Sequence, residues 1–89
     1  MFKNKTEDGR NNIVGENIKR RRLMLKESTS QRGFAELLQR YGLDVDKNAI
    51  QRIESGTRFV TDIELKVIAE VLDASYEELL AYEGSNQNQ

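Results

Sequence analysis

The chain has 89 residues, 37% of them hydrophobic, a formal net charge of −1, and no cysteine, histidine or proline. That length implies one small domain without room for a separate sensory or catalytic unit, and the missing residue types exclude disulfides, thiolate or imidazole metal sites, and His–Asp or Cys–His catalytic pairs. No apolar run approaches membrane-spanning length and the stretch MFKNKTEDGRNN has no signal-peptide core, so the expectation is a soluble cytoplasmic protein with no membrane partner and no cofactor.

Residues 1–11 are polar and aperiodic and are expected to form a mobile arm; residues 12–83 read as the folded domain, and residues 84–89 as a frayed tail. Within the domain the apolar residues recur at helical spacing without strand-like alternation, which predicts an all-α fold of five helices. The first spans 13–27, with Val14, Ile18 and Leu25 on one stripe. Ser30 is placed to cap a second helix over 31–41 that buries Phe34, Ala35, Leu38 and Tyr41 and ends at Gly42. Asp46 caps a third over 47–55, with Ala49, Ile50 and Ile53 inward and Gly56 closing it. Thr61 with Glu64, and Ser75 with Glu78, form capping boxes for helices over 62–72 and 76–82.

Charge is unevenly spread along this order. Residues 1–32 carry nine Lys/Arg against four Asp/Glu, residues 33–58 balance at four each, and residues 59–89 carry one Lys against seven acids. A basic end and an acidic end in one chain can present a cationic face to phosphates at low net charge, although two solvated faces would look the same. The outward residues of the third helix are more specific. Lys47, Asn48, Gln51 and Arg52 include no acid, and these side chains match base edges: Arg and Lys pair with guanine O6/N7, Asn and Gln with adenine N6/N7. The alternative is an ordinary solvated face, on which acids would be expected too.

Over residues 14–80 the sequence resembles the phage-repressor/Cro (XRE-type) helix-turn-helix family, through SQRGFAELL for a scaffold helix, NAIQRIESG for a recognition helix and LKVIAEVLDASYEELL for a closing pair. The resemblance implies a compact five-helix lambda-repressor-like domain that binds double-stranded DNA, as a transcriptional repressor acting by operator occupancy. It implies base contacts from Lys47, Asn48 and Arg52, a flanking or base contact from Gln51, and a backbone or flanking contact from Gln31. Arg58 matches a loop position that meets phosphate, or is a solvated loop charge. The chain departs from the family pattern in three places. Residues 35–42 span about one helical turn more than usual, implying a longer scaffold helix or a looser turn. The connection over 26–29 is longer, and Gly33 replaces an acid.

Arg22 lies on the apolar stripe of the first helix, where a guanidinium needs a partner. Glu54 is the natural candidate, a pairing the family resemblance also implies; otherwise Arg22 reaches solvent. An enzyme is not expected, since there is no phosphate loop, metal cluster or nucleophile–base pair. The competing class is a protein-interaction module on the same fold, such as the antitoxin of a toxin–antitoxin pair. A homodimer is expected through the last two helices. Leu65, Ile68, Ala69 and Leu72 fill one stripe of the fourth, leaving Ile63, Val67 and Val71 as a second. That second stripe either forms the dimer or packs under the fifth helix or the arm, against Phe2, and Tyr82 is placed to extend either surface.

Overall fold

A computed structural model describes residues 5–82, so Phe2 and the tail over 84–89 lie outside the described residues. Among the described residues the chain forms five α-helices and no strand: α1 Gly15–Met24, α2 Gln31–Arg40, α3 Lys47–Ser55, α4 Asp62–Leu72 and α5 Tyr76–Leu80. α3 packs against α1 and α2, while α4 packs against α1, α2 and α5. Phe34 and Leu38 of α2, Ile18 of α1, Ile50 and Ile53 of α3, Ile68 of α4 and Leu79 of α5 are fully buried where these helices meet. Every helix therefore places at least one large apolar side chain in a single core, and removing water from that surface is the main favourable term in holding them together.

Local chemistry sets the helix ends. The Ser30, Asp46, Thr61 and Ser75 side chains each accept a bond from the main-chain N–H three residues on, and Thr61 and Ser75 are completed as capping boxes by Glu64 and Glu78. α2 ends at Gly42, whose φ of +90° lies in the left-handed region. There Gly42 N–H donates to Gln39 O at 2.9 Å and Leu43 N–H to Leu38 O at 3.0 Å, the paired bonds that close a Schellman motif. Closure turns Leu43 onto the core and leaves Tyr41, expected inside, 57% exposed. The Gln39 side chain reaches across the turn to Val45 O at 2.7 Å.

α1 and α5 are shorter than the periodicity predicts. Leu25 is extended, Glu27 and Ser28 adopt positive φ, and Arg22 Nη1 donates to Thr29 O at 2.8 Å, drawing the connection back along the helix. α5 stops at Leu80 because the buried Asn17 of α1 donates through Nδ2 to Leu79 O at 3.0 Å and Ala81 O at 2.6 Å, holding Ala81 extended. The second stripe of α4 divides. Val67 and Val71 are partly buried against the core, and Ile63 stands 71% exposed.

Residues 5–11, which belong to the stretch 1–11 expected as a mobile arm, fold back together with Asn12 across the end of α3. Asn11 N–H donates to Gly56 O at 2.7 Å, and Asn12 Nδ2 to Ile53 O and Arg58 O at 3.0 and 2.7 Å.

Candidate nucleic-acid interface

α3 begins where Asp46 Oδ1 accepts from Ala49 N–H at 2.8 Å and ends at Gly56, left-handed at φ +89°. Ala49, Ile50, Ile53 and Glu54 are buried, while Lys47, Asn48, Gln51 and Arg52 are exposed. Lys47 and Gln51 are four residues apart, as are Asn48 and Arg52, so the four form two adjacent rows on the outer surface of the helix. No acid lies in the first turn of either α2 or α3. The face therefore combines two cations with two amides, groups able to make paired hydrogen bonds to base edges.

Behind this face the helix is anchored by charge. Arg22 Nε and Nη2 donate to Glu54 Oε2 and Oε1 at 2.7 and 3.1 Å, with both side chains almost wholly buried. Gln31 Nε2 donates to the same Oε1 at 2.9 Å, and Thr29 O takes the third Arg22 bond. Among the described residues no buried side-chain nitrogen or oxygen lacks a partner, so the network is complete as well as buried. Gln31, singled out as a backbone or flanking contact, thus has its amide nitrogen committed to the α1–α3 ion pair.

Arg58 is placed differently from a solvated loop charge. Its Nη1 and Nη2 donate to Glu64 Oε1 and Oε2 at 3.1 and 2.9 Å, joining the loop after α3 to the first turn of α4. The bond to Glu64 raises the Arg58 pKa. For Glu64 burial acts to raise the carboxyl, but the Arg58 guanidinium and the Thr61 main-chain N–H outweigh it and the pKa falls below the ordinary glutamate value. Arg58 is therefore drawn toward α4, whereas Lys47, Asn48, Gln51 and Arg52 share one face.

Sequence reasoning did not find Arg10, Asn11 and Asn12, all of which bond to carbonyls at or beyond the end of α3. One signal was available: a helix ending at Gly56 leaves carbonyls in need of donors. Asn17 was also missed. Its targets are the main-chain oxygens of Leu79 in α5 and of Ala81 just beyond it, which carry no residue-specific signature. Comparison of the chain with protein families, with curated proteins and with solved structures gave no match.

Proposed function

We propose that this protein binds double-stranded DNA sequence-specifically as a helix-turn-helix protein of the lambda-repressor-like (XRE) kind, with α2 as scaffold and α3 as reading helix, and represses transcription by occupying an operator. The observation that carries the reading is the exposed, acid-free face of Lys47, Asn48, Gln51 and Arg52 on a helix whose inner side is fixed by the Arg22–Glu54–Gln31 network. A helix that reads bases must hold its side chains in register, and a buried bidentate pair limits rotation of α3 about its own axis. Selection from randomised duplex DNA tests the proposal. The expected result is one enriched motif, and recovery of no motif above background overturns it.

A module of this size reads few base pairs, so a two-fold dimer completes the proposal. Ile63, Leu65, Tyr76 and Leu80 line a shallow apolar groove between α4 and α5, flanked by Asp62 and Lys66. We place the partner copy there. Sedimentation with and without the selected duplex should show two chains per duplex, and the motif should be an inverted repeat with half-sites about one helical turn apart. The same groove favours the second reading, a protein-interaction module such as an antitoxin. A chain that stays monomeric, selects no DNA and binds a protein partner through Ile63 and Tyr76 would establish that reading instead.

A further inference from the structure

The last turn of α3 presents carbonyl groups that intrahelical amides cannot satisfy. The segment before α1 meets the chain there almost residue by residue. Arg10 Nη2 donates to Glu54 O at 3.0 Å, and the Asn12 side chain to Ile53 O and Arg58 O. Asn11 uses its main-chain N–H for Gly56 O and its side chain for Thr57 O at 2.9 Å. Arg10 Nε returns to Asn12 O at 3.2 Å, which fixes the shape of the segment itself. The guanidinium also lies at the negative end of the α3 dipole.

Two glycines make this approach sterically possible. A Cβ on Gly15 would lie 2.2 Å from Ile53 O, and one on Gly56 would lie 2.7 Å from Arg10 Cζ. Farther back, Arg10 N–H donates to Thr6 Oγ1 at 2.9 Å, and Tyr82 donates to the Asp8 carboxylate at 2.7–2.8 Å. The segment therefore ties the end of α3 to the chain beyond α5.

We infer that residues 10–12 are positioning residues for the reading face, a clamp that sets the tilt at which Asn48, Gln51 and Arg52 meet base edges. This inference rests on the DNA-binding reading above. Paired hydrogen bonds to bases tolerate little displacement, whereas attraction to phosphates survives a change of tilt. Loosening the clamp costs discrimination between sequences more than affinity for DNA in general.

The test uses the full chain with Asn12→Ala, Arg10→Lys and Gly15→Ala, none of which alters net charge. Affinity is measured for the selected duplex and for a scrambled duplex at one salt concentration, beside hydrogen exchange of the Gly56, Thr57 and Arg58 amides. Exchange should accelerate, affinity for the selected duplex should fall about tenfold or more, and affinity for the scrambled duplex should change about twofold or less. Asn12→Ala keeps the Arg10 guanidinium and removes only the two Asn12 bonds, so the same split there separates positioning from a direct phosphate contact by Arg10, while Gly15→Ala presses on Ile53 O, Arg10 Nη2 and Asn12 Oδ1 and displaces the seat as a whole. If Asn12→Ala does not fold, Arg10→Lys, which keeps the charge and loses the fork, decides the matter. Equal losses on both duplexes, or an unchanged ratio, overturn the specificity role. A wild-type chain without duplex preference overturns the DNA-binding reading and that role together. Unchanged exchange in all three variants would show that the segment does not hold α3.

Discussion

At Arg22 and Glu54 two opposite charges meet where water is nearly excluded, and each depends on the other to remain there. Arg22→Met or Glu54→Leu alone should cost about 3–5 kcal/mol, because the remaining charge keeps its desolvation penalty and loses its partner. The double replacement should recover much of that loss, so thermal melts of the three variants should be strongly non-additive; additive losses would show the two side chains to be energetically independent. Asn48 and Arg52 call for a different measurement, since both are exposed and contribute little to the core. Asn48→Ala and Arg52→Ala should each relax preference at single base pairs by about 1–3 kcal/mol in repeated selections, with melting unchanged. Uniform weakening on all sequences would remove their assignment to bases. The Arg22–Glu54 pair was legible because a charge on an apolar stripe demands a specific partner. Gln31 was harder to read: its value to Glu54 depends on how closely α2 approaches α3, which spacing along the chain does not encode. Tyr41 was misplaced because periodicity counts it as the last inward residue of the helix, whereas the helix stops at Arg40 and Tyr41 is the exposed cap before Gly42.

Among the elements, α3 and α4 were readable to the residue because caps mark both of their ends or beginnings: Asp46 and Gly56 for one, Thr61 with Glu64 for the other. The ends of α1 and α5 were not, since they are set by Arg22 and Asn17 bonding to main-chain oxygens distant in sequence or beyond the helix. The join between α3 and α4 carries a pH dependence. Glu64 has a lowered pKa in the folded chain, so it stabilises the fold above the ordinary glutamate range, and that contribution is lost as pH falls through the folded value. With the pair partly open to solvent, its worth is about 1 kcal/mol, or about 4–8 °C in melting temperature for a domain of this size. Glu64→Gln should lower the melting temperature near neutral pH by that order, and the difference from wild type should shrink as acid protonates Glu64. A gap that stays constant into acid would mean that ionised Glu64 contributes nothing to the fold.

For the molecule as a whole, the cations of the first 32 residues and the acids of the last 31 belong largely to different helices. α3 has α1 and α2 as its principal neighbours, and the acid-rich α4 and α5 pack against each other and against α1. DNA binding should therefore weaken steeply with salt despite the net charge of −1, because Lys and Arg set against phosphates release condensed counterions. Plots of log affinity against log salt should slope clearly downward; a flat line would remove phosphate contact from the proposal. Among the described residues no helix is long and apolar enough to cross a membrane. The separation of charge has a consequence for the encounter itself. The basic α1 packs against the acidic α4 and α5, and Arg21 of α1 meets Glu78 of α5 at 3.4 Å, so the acids of the last helices offset part of that charge and the α3 face carries its own cations, Lys47 and Arg52. On the proposed DNA-binding reading, a polyanion would draw that face in first, and the chain would be spared the promiscuous stickiness that a uniformly basic surface would bring.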